Sequence, residues 1–595
     1  MRWRVVLGIC LLSVHASSIA ADVFSSRSAP GYAQTTWASL HGDSRNSDYV
    51  PLAVSTKLQP QWLALKNAVS WAAPSIASDG TLYVTTGRGK GYSHLHALSR
   101  SGELLWASPP QMSPDDLDAK ALFSAPVLDD GGNVYVSDSN QLWSFTGGGA
   151  VRWTADLAAH DIREPFLTAI IVGEYVGGVS ADGRVALFDR DTGALAMPVL
   201  VLPGKPGPKG GDIPDALWGG GLMDARLRQQ SWDLLRGYRH VVTNTPAVHP
   251  QSGRIYITAT GERGGEGRLY GIDTEGELRI AFATSVPPKS GTSPALSPDG
   301  RLVYAVGGGG ILYALNSDTG EKLWQRALGG QDASPSVGPD NVVYVHGGDQ
   351  LIAVDGMTGE TLWRNNYREW ARAQHKKIWP RLGLVGSRGR PDAYVDGIVT
   401  VSNGLLWTTL LVGYEINLLS RDFIHPVQTY LVALDPSDGT VLEKWRLPDS
   451  SEGVVSISPT GDLYVNLLSA QSSVAHYGGY QWLLPKSVRQ SRPRGGIYAL
   501  SPVSISAQLT VALQWLDTLA ANRNTLFLDG IQSQLWSARR ILALAIERKE
   551  LEPAVGRHVG NLLQEAEAGL RQCRSDLNRC ESLFDSLRAT AEALL

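Results

Sequence analysis

The chain has little cysteine. There are 3 cysteines among 595 residues, and beyond the N-terminal segment only Cys573 and Cys580 remain. The central part of the chain therefore offers no disulfide and no thiolate metal site, and the patterns CxxC, CxxCH, HExxH and GxSxG are absent. A strong charge of one sign is also lacking, because the formal net charge is only −4. This balance argues against a nucleic-acid partner.

The apolar run near the N-terminus is too short to cross a bilayer, which takes about 20 residues. It follows Arg2 and Arg4, runs from Val5 to Val14, and ends before the small residues around Ala20. This pattern predicts a signal peptide over residues 1–20. We therefore expect an exported protein, periplasmic or extracellular, without a transmembrane segment in its mature chain.

What the sequence does contain is a repeat. The stretch from Ser293 to Trp324 reads as four short strands, with tight turns at Pro298-Asp299-Gly300 and Asp318-Thr319-Gly320. Related stretches return along the chain, making eight in all. One such meander cannot bury both of its faces, so the copies must stack on each other. The pattern predicts a mainly β fold, an eight-bladed β-propeller.

The ending LYALNSDTGEKLW, Leu312 to Trp324, resembles the pyrroloquinoline-quinone (PQQ) type repeat. The resemblance covers roughly Gln61 to Pro502. It implies a propeller similar to BamB-like envelope proteins, which are not catalytic, and more distantly to quinoprotein dehydrogenases. The second group implies an alternative function, a PQQ- and calcium-dependent oxidoreductase acting on alcohols or sugars. The adjacent cysteines of quinoprotein alcohol dehydrogenases are missing here.

The pattern divides the chain into four parts. A signal peptide (1–20) is followed by an N-terminal entry segment (21–57), the propeller (58–502) and a helical C-terminal domain (503–595). The eighth repeat lacks an outer strand, and Leu58 to Trp62 reads as a strand without a blade. We expect the N-terminal strand to complete the last blade and close the ring.

Long insertions indicate which face of the propeller is functional. They all belong to the connections of one face, whereas the turns of the other face are short. Two insertions, 364–390 and 468–494, interleave basic and aromatic residues, a composition that suits an envelope protein or an anionic polymer. The candidate partner-binding residues are Arg368, Trp370, Arg372, Lys376, Lys377, Trp379, Arg381, Tyr480, Trp482, Arg489 and Arg492. The alternatives are a solvated basic loop, or a carbohydrate-binding surface in which tryptophans stack on sugar rings.

Catalytic and metal-binding residues are not indicated. Asp299, Asp318 and their equivalents occupy turns, where aspartate caps its own backbone. His94 and His96 could suggest a metal pair, but His96 aligns with the strand position of Tyr313, which favours blade packing. We therefore assign no catalytic residue and no metal ligand, and expect no cofactor except PQQ and calcium under the alternative.

Beyond Pro502 the apolar spacing changes from that of strands to that of helices. The last predicted helix keeps an unbroken heptad seam from Val559 to Leu594 that includes Cys573 and Cys580. Seven helical residues span about 10.5 Å, too far for a disulfide unless the helix breaks. The two cysteines are therefore candidates for inter-chain disulfides in a parallel homodimer. The alternative is an intramolecular three-helix bundle. Either arrangement is expected on the short-turn face.

Overall fold

The computed structural model describes residues 28–263, 266–286, 291–329, 333–347, 349–378, 389–418, 421–522 and 528–593. Within this part of the chain, eight sheets form an eight-bladed propeller, which confirms the predicted fold class. All pairs of described strands are antiparallel except that of Tyr49–Ala53 with Thr400–Asn403. Seven sheets have four strands and one has six. The predicted signal peptide lies outside the described residues.

Each blade has strands that run in order from the ring axis to the rim. The first four blades comprise β3 (Ser75–Ile76), β4 (Leu82–Thr85), β5 (Leu95–Leu98) and β6 (Leu104–Ala107); β7 (Val127–Leu128), β8 (Val134–Ser137), β9 (Gln141–Phe145) and β10 (Val151–Asp156); β11 (Ile170–Val172), β12 (Tyr175–Val179), β13 (Arg184–Asp189) and β14 (Leu200–Val201); β15 (Ala247–Val248), β16 (Ile255–Thr260), β17 (Gly267–Asp273) and β18 (Arg279–Ser285).

The other four blades follow the same plan with additions in the last two. They comprise β19 (Ala295–Leu296), β20 (Leu302–Gly307), β21 (Ile311–Asn316) and β22 (Lys322–Ala327); β23 (Ser336–Val337), β24 (Val342–Gly347), β25 (Gln350–Asp355) and β26 (Thr361–Asn366); β28 (Thr400–Asn403), β29 (Leu405–Leu418), β30 (Arg421–Leu434) and β31 (Val441–Arg446), joined by β1 (Tyr49–Ala53) and β27 (Pro391–Val395); and β32 (Val455–Ile457), β33 (Leu463–Leu467), β34 (Gly496–Pro502) and β2 (Leu58–Ala64).

The ring is closed as expected, because β2 pairs antiparallel with β34 and forms the outer strand of the eighth blade. Trp62, on β2, donates its indole N–H to the carbonyl of Arg100 in the first blade, at 3.0 Å. Arg100 in turn bonds Asp462 of the eighth blade at 2.7 and 3.0 Å. The first and last blades are therefore joined by both backbone and side-chain contacts.

Tryptophans of the outer strands hold neighbouring blades together. Trp106 packs on the next blade and donates its indole N–H to the carbonyl of Gly147 at 2.9 Å. Gly149 lies under the same ring with φ of +90°, and a Cβ there would come 2.6 Å from the indole. Glycine is required at this turn for both reasons. Trp153, Trp324 and Trp363 donate in the same way to the blades that follow them.

The described part of the entry segment lies inside the ring. Trp37 is fully buried. Backbone carbonyls of this segment accept N–H groups from the innermost strands of six blades; the pairs are Trp37 with Ile76, Ala38 with Leu128, Ser44 with Val248, Arg45 with Leu296, Ser47 with Val337 and Asp48 with Val401. The segment therefore lines the axial channel and links most of the blades.

Helices occur in the insertions and at the C-terminus. Three short ones are α1 (Leu227–Leu235), α2 (Arg368–Gln374) and α3 (Ala470–Tyr477), and four longer ones follow the propeller: α4 (Ile505–Asn522), α5 (Leu528–Glu547), α6 (Pro553–Ser575) and α7 (Glu581–Glu592). Short 3-10 segments occur at Ala119–Phe123, Ala158–His160, Tyr480–Leu483, Lys486–Val488 and Leu577–Arg579. Among the described residues, no helix is both long and apolar enough to span a membrane.

The four C-terminal helices form one bundle on the short-turn face, the face that the sequence predicted. Gln508 and Gln534 bond the backbone of Ala53, each at 2.9 Å. Ser537 donates to the carbonyl of Pro459 at 2.8 Å, in the first turn of the eighth blade. The bundle therefore docks on both the entry segment and the ring.

Two predictions for the C-terminus are wrong. The last helix is not continuous, because α6 ends at Ser575 and α7 begins at Glu581 and packs back against α6 and α4. At this break Cys573 and Cys580 form a disulfide with each other, with Cα atoms 4.4 Å apart. They are therefore not inter-chain disulfides. The seam residues expected to pair two chains, such as Val559 and Leu563, are buried in the bundle core of a single chain.

Candidate partner-binding site

The candidate site is built on a long hairpin of the seventh blade. Strands β29 and β30 have 14 residues each and extend well beyond the four-stranded blade. Residues 411–428, which exceed the length of an ordinary blade hairpin, continue both strands. Val412, Tyr414 and Ile416 are β-branched or aromatic residues that favour strands. The connection that carries the hairpin belongs to the face with the long insertions.

The first basic-aromatic insertion packs along β29. Strand β27 pairs with the extended part of β29 from Tyr414 to Leu410. Trp370 of α2 lies edge-on against Tyr430 with ring centroids 5.5 Å apart. His375 contacts the same tyrosine, with its Nε2 3.0 Å from the hydroxyl. Burial of His375 lowers its pKa, and the positive charges of Arg446 and Lys444 lower it further.

The second insertion packs against β30. The imidazole of His425 joins the two, because its Nε2 lies 2.8 Å from the carbonyl of Val488 and its Nδ1 lies 3.0 Å from the hydroxyl of Tyr480. A carbonyl only accepts, so Nε2 carries the proton and Nδ1 accepts from the Tyr480 hydroxyl. Burial lowers the pKa of His425, which favours this neutral form.

The two insertions meet at the hairpin in one small apolar core. Ile378 from the first insertion, Tyr414 and Ile416 from the hairpin, and Leu484 and Val488 from the second insertion are all buried together there. We call the described parts of 367–434 and 468–494 the tower. The two stretches that the sequence singled out separately are thus one structural unit.

Charge in the tower is concentrated on α2 and its surroundings. Arg368 donates from Nε to Asp392 and from Nη2 to Asp349, both at 3.0 Å. These contacts, chiefly the hydrogen bond to Asp392, raise the pKa of Arg368. Within the described part of the chain, Arg372 forms an ion pair with Glu369, whose side chain is 81% exposed. Surface pairs of this kind add little stability.

A cavity of about 550 Å³ opens beside α2. Its lining is almost entirely ionisable and consists of Arg368, Arg372, Lys377, Arg390, Pro391, Asp392 and Glu415. We call it the cationic cavity. Four basic groups against two carboxylates give the lining a formal charge of +2. Three of the four, all but Arg390, are residues that the sequence nominated.

The remaining nominated residues are distributed over the tower. Lys376 is exposed, and its carbonyl accepts the Tyr414 hydroxyl at 2.8 Å. Trp482 is 61% exposed. Arg489 donates to the carbonyls of Leu484 and Trp482 and so braces its own loop, while Arg492 is exposed. Trp379 and Arg381 lie outside the described residues.

Several residues of the site were not nominated from the sequence. Asp392, Glu415 and His425 belong to strands that the sequence read as loop or left unassigned. Arg390 was noticed as one of many basic residues but not selected. The alternation in PDAYV, Pro391 to Val395, was the available signal for β27 and for the position of Asp392.

A smaller cavity of about 210 Å³ lies between the tower and the eighth blade. Asp449 is the main polar group there, with its side chain accepting from Ser472 and from the backbone N–H of Arg494 at 2.6 Å. Gln490 and Ser491 of the second insertion complete one wall. These bonds hold the base of the second insertion to the ring.

The axial channel is the place where quinoproteins would hold their cofactor. The insertion between the third and fourth blades reaches across this end of the ring. Trp218 is 1% exposed and its backbone N–H bonds Ser473 of the eighth blade. Leu222 accepts from Val69 at 3.2 Å, next to the first blade. The insertion thus covers the mouth of the channel.

Two buried carboxyl groups, Asp396 before the seventh blade's inner strand and Glu452 before that of the eighth, interact electrostatically. Burial raises the pKa of Asp396, and the neighbouring Glu452 raises it further. Burial also raises the pKa of Glu452, an effect that Arg236 at the end of α1 reduces. No cluster of three or more metal-ligating side chains occurs among the described residues.

Comparison with solved structures shows the same propeller in other proteins. A europium-containing methanol dehydrogenase is 13% identical, with a TM-score of 0.51 over 78% of this chain and 98% of its own. The quinohemoprotein alcohol dehydrogenase from Comamonas testosteroni is 12% identical, with a TM-score of 0.51 over 97% and 99%. At these identities the likeness shows the fold alone. BamB from Moraxella catarrhalis, 13% identical over 72% and 95%, has a TM-score of only 0.39.

Comparison by sequence is more specific. No curated protein matches this chain. A protein family described as outer membrane protein assembly factor BamB matches residues 53–196, 91–281 and 265–481, which together cover well over half of the chain. The repeat resemblance is thereby confirmed: this chain belongs to the PQQ-type propeller family of the outer membrane protein assembly factor BamB.

Proposed function

We propose that this protein is an exported, non-catalytic scaffold of the cell envelope that binds a partner protein through its tower. The observation that carries the proposal is the convergence of the two basic-aromatic insertions on one projecting hairpin. Binding residues concentrate on loops that a rigid scaffold positions. The family description, an assembly factor, supports a role in binding proteins.

The surface chemistry of the tower suits an acidic partner. Trp482 is 61% exposed at its surface, and tryptophan and arginine are the residues that most often anchor interfaces. Arg492 and Lys376 are exposed on the same unit. Basic groups of this kind speed association with an acidic surface and make it dependent on salt.

Export is supported by the N-terminal sequence and by the Cys573–Cys580 disulfide. Disulfides persist in oxidising compartments and are rare in the cytosol. Both features fit the periplasm or the cell exterior.

The test is site-specific photo-crosslinking in the native host. A photoreactive amino acid replaces Trp482 in one variant and Met357 in another. Met357 is 64% exposed and lies in a turn of the sixth blade on the opposite face, so it is a matched control. We expect a discrete crosslinked species from position 482 that weakens at high salt. Equal crosslinking from both positions, or none from 482, would contradict the proposal.

A calorimetric titration with PQQ and calcium tests the alternative directly. We expect no binding by the purified mature protein, because the insertion between the third and fourth blades covers the mouth of the channel. Tight one-to-one binding would instead favour the oxidoreductase.

A further inference from the structure

We infer that the cationic cavity beside α2 is a binding site for a phosphorylated saccharide. This inference goes beyond the proposed function, because it concerns a small ligand at a defined cavity and does not depend on the partner protein. Trp482, which carries the crosslinking test, is not among the residues that line the cavity.

The size of the cavity suits a ligand larger than a single phosphate. Its volume of about 550 Å³ lies within the range of about 300–1,000 Å³ that is usual for small-molecule sites. Such sites are usually mostly apolar, but among the described residues that line this cavity Pro391 is the one that is not ionisable. The lining therefore favours a polar, charged ligand over an apolar one.

The basic groups of the cavity are positioned for an oxyanion. Asp392 and Asp349 hold Arg368 through Nε and Nη2, each at 3.0 Å, and leave its Nη1 without a partner among the described residues. A guanidinium fixed in this way presents its remaining N–H groups at little cost in entropy.

Arg372 can exchange its present ion pair for a ligand at little cost. Arg372 contacts Glu369, which is 81% exposed, and a surface pair of this kind contributes little. Arg390 is exposed and makes no ion pair within the described part of the chain. A phosphate entering between Arg368, Arg372 and Arg390 would gain charge-assisted hydrogen bonds, which are stronger than neutral ones.

The two carboxylates of the cavity favour a phosphorylated sugar over inorganic phosphate. Glu415 and Asp392 line the same cavity, and ionised carboxylates only accept hydrogen bonds. They would repel inorganic phosphate but accept the hydroxyl groups of a sugar ring. A cavity that holds basic and acidic groups together thus matches a ligand with a phosphate at one end and hydroxyls at the other.

The test is isothermal titration of the full mature protein at low salt with three probes: glucose 6-phosphate, glucose and inorganic phosphate. We expect glucose 6-phosphate to bind at least ten times more tightly than either of the other two. Equal affinity for inorganic phosphate and glucose 6-phosphate would overturn the inference. No detectable binding of glucose 6-phosphate would overturn it as well.

Substitutions of residues that line the cavity test whether the ligand binds there. Arg372→Gln and Arg390→Gln should each weaken glucose 6-phosphate binding at least tenfold. Glu415→Gln should strengthen the binding of inorganic phosphate, because a repelling charge is removed, and should reduce the preference for glucose 6-phosphate over phosphate. Arg301→Gln is the matched control, because Arg301 is 85% exposed on the opposite face. Unchanged thermal unfolding of each variant shows that folding is not affected. Full affinity in Arg372→Gln and Arg390→Gln would place the ligand elsewhere and overturn the inference.

The same ligand chemistry can be free or carried by a lipid. Co-sedimentation with phosphatidylethanolamine vesicles, with and without lipid A, separates these sources, since lipid A carries phosphates on a sugar headgroup. Binding to lipid A vesicles that Arg372→Gln abolishes indicates a lipid-borne headgroup. Binding of glucose 6-phosphate without vesicle binding indicates a soluble ligand. Vesicle binding that Arg372→Gln leaves intact would count against the cavity.

Discussion

At the scale of single residues, the contact between Arg100 and Asp462 deserves a direct measurement because it joins the first and last blades. The Asp462 side chain is 1% exposed and that of Arg100 27%. Arg100→Gln should lower the free energy of unfolding by about 2 kcal/mol at pH 7, since it leaves a buried carboxylate without its charged partner. Urea unfolding measures the change. Arg301→Gln, at an exposed pair, should change it by less than about 0.5 kcal/mol.

This contact also predicts a pH dependence. Burial raises the pKa of Asp462, but the hydrogen bond and charge of Arg100 outweigh burial and hold the pKa below its ordinary value. The stabilisation is therefore present above the pKa of the unfolded chain and is lost as the pH falls through the folded-state pKa. The difference between wild type and Arg100→Gln should shrink below about pH 4, near the ordinary pKa of aspartate. A difference that stays constant down to pH 3 would contradict this assignment.

The buried carboxyl pair Asp396 and Glu452 should give a pH dependence of stability opposite to that of Asp462. The pKa values of Asp396 and Glu452 are raised in the folded state, chiefly by burial. Stability is then lost as the pH rises from the ordinary carboxyl range through these raised values, because the folded state holds the protons more tightly. Urea unfolding should show that Glu452→Gln raises the free energy of unfolding, relative to wild type, more at pH 8 than at pH 5. The exposed Glu321→Gln is the control and should show no such trend.

Residue types indicated where charge would gather but not what each charge would contact. Arg368 and Trp370 were nominated as partner-binding residues from composition alone. In the structure Arg368 pairs with Asp392, 24 positions further on, and Trp370 packs on Tyr430. Contacts between residues so far apart depend on the hairpin that brings them together, and local composition does not encode them.

At the scale of elements, the break between α6 and α7 gives the clearest prediction. A disulfide that closes a loop of this size stabilises by about 2 kcal/mol in the chain-entropy account. Replacing both Cys573 and Cys580 with serine should therefore lower the free energy of unfolding of the bundle by about that amount. Non-reducing electrophoresis of the wild type should show a monomer. A covalent dimer that disappears on reduction would contradict the intrachain bond.

The heptad spacing predicted helices correctly but concealed this break. Cys573 and Cys580 occupy equivalent seam positions, so apolar periodicity runs through the interruption unchanged. The local signal was polar: the Asp576 side chain accepts from the backbone N–H of Asn578 at 3.1 Å and begins a 3-10 turn. Aspartate and asparagine compete with helical hydrogen bonds in this way.

At the scale of the whole molecule, closure of the ring depends on the N-terminal strand. A variant lacking residues 28–64 should leave β34 as an open edge, and exposed edges invite association. We expect soluble oligomers or aggregates by size-exclusion chromatography. Supplying a peptide of residues 28–64 in trans should restore the monomer. A deletion variant that stays monomeric on its own would show that closure is dispensable.

The repeats were sufficient to predict eight blades, the closing strand and the face occupied by the helices, because each follows from strand order and turn chemistry. The cover over the channel and the path of the entry segment did not follow. Trp37 and Trp218 are both buried, and nothing in their local sequence distinguishes them from surface residues. Their burial depends on the shape of a ring that forms only when all blades are present.

The path of the entry segment sets an order of events during synthesis and folding. Its carbonyls bond inner strands from Ile76 to Val401, and β2 must wait for β34, more than 400 positions later. The part of the chain made first is thus among the last to find its final partners. Until the eighth blade has emerged, the earlier blades form an arc with two open edges around an unfilled centre. Such an intermediate is slow to close because its contacts are far apart in sequence. It is also the state in which a chaperone would have the most surface to protect.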